Sequence, residues 1–275
     1  MPSKSEFEAE SLVEDLGLEI PIKPRDVCES ISVDDCRVIY KEIEFSSNNI
    51  CGLSIGSENE INVLVNSNIS NSGRKLFTAS HEIGHVILHI QAGIKSEFKC
   101  SESDISGKST SNAKLEKEAN EFASRLLMPT SFIGNIIKRN DINWQLIEEI
   151  ATLCSTSIEA TARRLVLSAS ESCVLIIHKD DKMWVPIKSK SFNSFIENFQ
   201  FPNCLQSHSD SPRTEFPSQF EECYADIIFN NSNKLPDIIK YSSIFNKEYN
   251  KRMTLLCFPE IDDEVDEDDW DEPTF

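Results

Sequence analysis

No stretch of this chain is apolar for long enough to span a bilayer. The first ten residues are polar and acidic, so the basic-then-apolar order of a secretory signal is missing too. No membrane is expected as a partner, and a cytoplasmic location is expected. The nine cysteines, at 28, 36, 51, 100, 154, 173, 204, 223 and 257, never fall in a C-x-x-C pair. Such single, odd-numbered cysteines read as reduced thiols, and none is assigned a metal. Basic residues are in deficit, with 27 Lys and Arg against 46 Asp and Glu. A chain of that sign repels a phosphate backbone, so direct DNA binding is not expected. No internal repeat is present.

What remains is a chain of 275 residues, 39% hydrophobic and 27% charged. That length supports one large domain or two modest ones, and two are expected. The net charge of −19 is unevenly spread: the segment from Glu260 to Glu272 carries ten of those charges and leaves −9 elsewhere. A block of like charges repels itself and buries too little apolar surface to offset chain entropy. Residues 259–275 are therefore expected to be a disordered acidic tail.

Apolar residues at helical spacing predict an amphipathic helix over residues 5–18, stopped at Gly17. A short second helix is expected over 25–31. Runs 37–44, 50–55 and 60–65 are rich in β-branched residues and separated by turn chemistry, which predicts a small antiparallel sheet. Ser70 or Ser72 is placed to cap a helix over 74–91. Residues 92–113, rich in Ser and Lys, read as an exposed loop. Helices follow at 115–128, 131–139, 144–154 and 157–168. A composition change near Ser170 marks a boundary, beyond which 174–177 and 183–187 form a candidate hairpin.

The chemistry concentrates in His81-Glu82-Ile83-Gly84-His85. Histidines four apart differ by about 40° around a helix, so both imidazoles can reach one ion, most naturally zinc. Glu82 is offset to take a proton from a water activated there. Gly84 allows another backbone or a substrate to approach closely. A catalytic zinc site takes three protein ligands and keeps one position open, so a third is required. In the next strong helix Glu116 and Asn120 share a face, so that one can bind metal while the other steadies a ligand. His89 continues the same helix face and reads as a packing histidine. Tyr40, His178, His208 and Tyr224 are the candidates for an oxyanion donor.

Three blocks carry a resemblance to the ImmA/IrrE metallopeptidases of bacteria and their mobile elements. The first is Arg74-x-x-Phe77-Thr78-x-x-His81-Glu82-x-Gly84-His85-x-x-x-His89. The second is Glu116-x-x-Ala119-Asn120-x-Phe122-Ala123-x-x-Leu126-Leu127-Met128-Pro129, and a weaker third runs from Ile147 through Ser157 to Arg164-Leu165. The resemblance covers about residues 10–168. It implies that His81, His85 and Glu116 bind zinc, that Glu82 is the general base, and that Asn120 steadies a ligand from behind. Glu118, one turn from the site, is the rival third ligand.

The implied architecture is α+β. A zincin-like helical core with a small antiparallel sheet fills a zinc metallopeptidase domain, residues 1–170, which includes a helix-turn-helix-like segment at 144–168. A smaller α/β or α+β domain follows at 171–258, then the acidic tail. Family members cut a helix-turn-helix repressor and so switch on stress, prophage or mobile-element genes, which makes such a repressor the expected protein partner. Two other functions fit the same residues: a zinc-stabilised protein that sequesters a repressor without cutting it, and a toxin-like broad protease.

Overall fold

Ser3 opens the first helix, α1 (Lys4–Asp15), with a reciprocal cap. Its hydroxyl accepts from the Glu6 amide and the Glu6 carboxylate accepts from the Ser3 amide, both at 3.1 Å, an arrangement that contributes about 1 kcal/mol. Gly17, at φ +59°, turns the chain out of the helix, a conformation that favours glycine. The computed structural model describes residues 2–47, 49–105, 112–179, 182–183, 186–192, 219–228, 236–246 and 250–259. The chain divides into two compact units, Met1–Ser168 and Ala169–Phe275. The architecture is α+β, with one sheet in each unit.

In the first unit, α2 (Pro24–Ser30) leads into β1 (Ser32–Val33), β2 (Cys36–Ile43), β3 (Ile50–Gly56) and β4 (Glu60–Asn66). The expected small antiparallel sheet is instead a mixed five-stranded one. Its order is β1-β2-β4-β3-β5, with β5 at Glu97–Ser101 and with β2 parallel to β4. Ile61, Val63 and Val65 make β4 the strand with the most to bury, and it takes a central place. The tight Ser57–Glu60 turn pairs β3 with β4 as a hairpin. The polar link after β2 carries the chain past β4 to its far side, which makes β2 and β4 run the same way. The segment expected as a loop at 92–113 contains β5 and a short helix α4 (Glu102–Ile105).

Helix α3 (Ser72–His85) is capped by Asn71, whose side chain accepts from the Arg74 amide at 2.8 Å, rather than by either serine. It continues as a π-helical turn over Val86–Ile90, closed by Gln91 N donating to Val86 O at 3.0 Å. Helix α5 (Ala113–Leu127) crosses α3 where Gly84 meets Ala119; a Cβ on residue 84 would lie 3.2 Å from Ala119 Cα. The core beneath them joins Val38, Ile61, Val63, Ile83, Val86, Phe122 and Leu126. Full burial of side chains of this size stabilises by about 1.5–3 kcal/mol each. α1 lies along α5, with Glu6 paired to Arg125 and Ser3 donating to Glu121 at 2.8 Å.

Helices α6 (Thr130–Ile137), α7 (Trp144–Cys154) and α8 (Ile158–Ser168) complete this unit, with Ser155 at φ 55° turning the chain between α7 and α8. Arg164 of α8 is buried and donates to Met128 O and Thr130 Oγ1, each at 3.0 Å.

The second unit contains β6 (Cys173–Lys179), β7 (Lys182–Met183), β8 (Ile187–Lys188), β9 (Glu221–Tyr224), helix α9 (Ala225–Ile228), β10 (Ile238–Asn246) and β11 (Lys251–Cys257). The sheet is antiparallel, ordered β7-β6-β11-β10-β9, and β8 also pairs with β6. Val174, Ile176, Ile239, Tyr241, Leu256 and Phe258 form its core with Phe192 and Ala225. Most of the acidic tail lies outside the described residues.

Candidate metal centre

The helical spacing of His81 and His85 brings their Nε2 atoms 3.0 Å apart, and α5 adds Glu116 Oε2 at 3.2 Å from one and 3.3 Å from the other. A fourth donor, Cys100 Sγ of β5, lies 3.1 Å from His81 Nε2 and 3.8 Å from Glu116 Oε2. All four donor atoms fall within 4.8 Å of one another, and all four residues are buried.

The surrounding hydrogen bonds fix where the protons are. Asn120 Nδ2 donates to the Asp104 carbonyl at 3.0 Å, which turns Asn120 Oδ1 to His81 Nδ1 at 2.9 Å. That acceptor requires the proton on Nδ1 and leaves His81 Nε2 a lone pair. His89 faces Glu118 through Nε2 at 3.2 Å and His85 through Nδ1 at 2.9 Å. The carboxylate accepts from a protonated Nε2, so His89 Nδ1 accepts from His85 Nδ1, and His85 Nε2 is a lone pair too. Two imidazole lone pairs and a carboxylate oxygen thus converge beside the Cys100 thiol, a donor set suited to a cation. Zinc bonds of about 2.0–2.1 Å in a tetrahedron require donor separations of about 3.3 Å, close to the edges of 3.0, 3.2 and 3.3 Å among His81, His85 and Glu116. The residues present fit the ion that the sequence implies.

Electrostatics point the same way. Burial lowers His85 to about 4, which keeps its imidazole neutral. Burial pushes Glu116 up, but its contacts with His81 and His85 outweigh it and hold the carboxyl down at about 2. Burial, followed by the negative charge of Glu82 and Glu116, pushes the Cys100 thiol up.

Glu82 stands beside the donors. Its Oε2 accepts from the Ser54 hydroxyl, which lies 3.0 Å from Glu82 O as well, while Oε1 has no partner within hydrogen-bonding geometry. Gly52 makes room for it: a Cβ there would fall 2.3 Å from Oε1. Burial raises Glu82 to about 7, against the opposing influence of His81, Ser54 and the nearby Cys100 thiol. A carboxyl poised there exchanges protons readily at neutral pH.

His81, His85, Glu116, Asn120 and Glu82 therefore meet at one place. Glu118 is directed at His89 rather than at the donors. Of the oxyanion candidates, the Tyr40 hydroxyl donates to Glu42 at 3.0 Å, His178 and Tyr224 belong to the second unit, and His208 lies outside the described residues. Cys100, which the sequence assigns no metal, stands among these donors. That residue was hidden because cysteine spacing along the chain says nothing of a histidine pair on another element. The alternation in 97–101, with Phe98 and Cys100 buried between exposed Glu97 and Lys99, is the signal that could have found it.

A buried histidine pair on α3, a carboxylate from α5 and a glutamate beside them define a metal-dependent hydrolase. Residues 41–166 match the family model described as the IrrE N-terminal-like domain, a peptidase family. No curated protein matches the chain by sequence. Among solved structures, a chain named a Mycobacterium tuberculosis transcriptional regulator shares the fold. Its TM-score is 0.55 at 12% identity, over 94% of this chain and 89% of that one. No helix among the described residues is long and apolar enough to cross a membrane.

Proposed function

We propose that the protein is a zinc-dependent endopeptidase that cuts a regulatory protein of the helix-turn-helix repressor type. The observation that carries this is the convergence of His81, His85 and Glu116 beside a buried, half-partnered Glu82. The repressor as substrate rests on the ImmA/IrrE resemblance and is supported by the fold shared with a chain named a transcriptional regulator.

His81, His85 and Glu116 would hold the zinc, with Asn120 and the His89–Glu118 pair fixing the two imidazoles from behind. When bound there, zinc supplies Lewis acidity toward a carbonyl and makes a water acidic enough to lose its proton near neutrality. Glu82 takes that proton on Oε1, and Ser54 holds the other oxygen so that the carboxylate cannot swing away. Glu82 then returns the proton to the departing amine as the peptide bond breaks. The α7–α8 segment is assigned to docking or structure rather than to DNA, because Arg164 is buried and Arg163 pairs with Glu159 at 3.1 Å.

The test mixes purified protein with helix-turn-helix repressors encoded beside its gene and compares Glu82→Gln. Cleavage by the wild type is expected, with a loss of about 10²–10⁴-fold in the variant at unchanged metal content. Cleavage that persists in the variant removes Glu82 as the base. One observation favours a second function, a zinc-stabilised protein that sequesters a repressor: four protein donors are the complement of a structural site. Derepression in cells that survives Glu82→Gln unchanged would select it.

A further inference from the structure

We propose that Cys100 is a fourth metal donor that closes the centre in the resting fold, and that β5 must withdraw it before Glu82 can act on a water. This rests on the metallocentre proposed above and adds a latent state to it.

The strand is built to deliver the sulfur. Period-two alternation puts Phe98 and Cys100 on one face of β5, where Phe98 stacks on the His85 ring at 4.3 Å between centroids and Cys100 reaches His81. The β3–β5 pairing slips between Ile50 and Gly52, opposite Ser101 and Cys100. The extra residue at that step is Cys51 of β3, while Ser101 and Cys100 stay consecutive on β5. The corner after Cys100 is pinned: Ser101 donates through N and Oγ to Asp104 Oδ2 at 2.7 and 2.6 Å, and the Asp104 carbonyl accepts from Asn120. Asn120 also fixes His81, so one amide side chain ties the sulfur-bearing corner to a metal-binding imidazole.

In this arrangement no polypeptide reaches the centre. His81, Glu82 and His85 have 0% exposure, Cys100 1% and Glu116 5%. Four protein donors leave no position for a water, and a peptidase needs that position. Among the described residues β5 pairs with β3 alone, so it can leave by breaking one ladder. On metal binding the thiol releases its proton to solvent and sulfur forms the fourth bond. On opening, that bond breaks, the thiolate regains a proton from solvent, and water takes its place; no oxidant or reductant is consumed.

The test loads the purified full-length chain with cobalt(II) and records its absorption spectrum. The expected result is one cobalt per chain with a near-ultraviolet thiolate-to-cobalt charge-transfer band. Cys51→Ser, at a neighbouring buried thiol, keeps the band. Cys100→Ser loses it yet still binds cobalt, with affinity weakened by roughly tenfold or more, at least the loss that follows removal of an outer supporting partner. Cobalt bound by the wild type without the band, or a band that survives Cys100→Ser, overturns the closed state and leaves the metallopeptidase proposal standing. A wild-type chain that takes up neither cobalt nor zinc overturns both. Absence of the band in the cobalt-loaded wild type refutes the proposal by itself, whether or not a Cys100 variant folds.

Discussion

Replacing Gly84 with alanine tests how closely the fold of the first unit is tied to its metal centre. The added Cβ would stand 3.1 Å from Phe122 Cδ1, 3.2 Å from Ala119 Cα and 3.3 Å from Ala119 O. Two of these atoms are α5 backbone and cannot swing aside, so relief requires α3 and α5 to separate by a few tenths of an ångström. Overpacking of this kind costs about 1–3 kcal/mol, while removing a helix-interior glycine returns about 1 kcal/mol. The net is a loss of up to about 2 kcal/mol, and each 1 kcal/mol lowers Tm by about 2–4 °C in a unit of this size. The displacement falls on the donors, because His81 and His85 ride on α3 and Glu116 on α5, with edges of 3.2 and 3.3 Å. Thermal unfolding with and without zinc should show a lower Tm for the metal-free variant and a smaller stabilisation by zinc than in wild type. A variant more stable than wild type, with the full zinc-induced rise, would refute the close helix contact as a determinant of the site.

Gly52→Ala should cut peptidase activity by about 10²-fold or more while zinc content holds, since the new Cβ displaces the Glu82 carboxylate; parallel activity and metal assays check it. Asn120→Ala should weaken zinc affinity by roughly 10–100-fold through loss of the His81 Nδ1 partner, measured by competition with a chelating dye. Arg164→Ala leaves Met128 O without its buried donor, while Thr130 Oγ1 keeps the one from Arg125 at 2.9 Å. It should destabilise the first unit by about 2 kcal/mol, visible as a lower denaturant midpoint with unchanged slope.

The long helices were legible because their signals are local. The stop at Gly17, the periodicity of α5 and the position of Pro129 lie within a few residues of what they determine. The same holds for His81, Glu82 and His85, whose convergence follows from helix geometry alone, and Gly84 was readable as a point of close approach. Partnership between strands is not local. Turn residues indicate that β3 and β4 are neighbours, but nothing near β2 says that it pairs in parallel with β4 rather than with β3. β5 was hidden by its Ser- and Lys-rich flanks, and with it the sulfur that completes the donor set. The π-helical turn at Val86–Ile90 leaves no trace in a 3.6-residue rhythm, because one inserted residue shifts phase without changing composition.

The most direct measurement is the metal content of the purified chain beside His81→Ala and Glu116→Ala, by elemental mass spectrometry after dialysis against zinc. One zinc per wild-type chain and almost none in either variant is the expected result. A full equivalent retained by both variants, or a wild type that takes up none, would contradict a centre built from His81, His85 and Glu116.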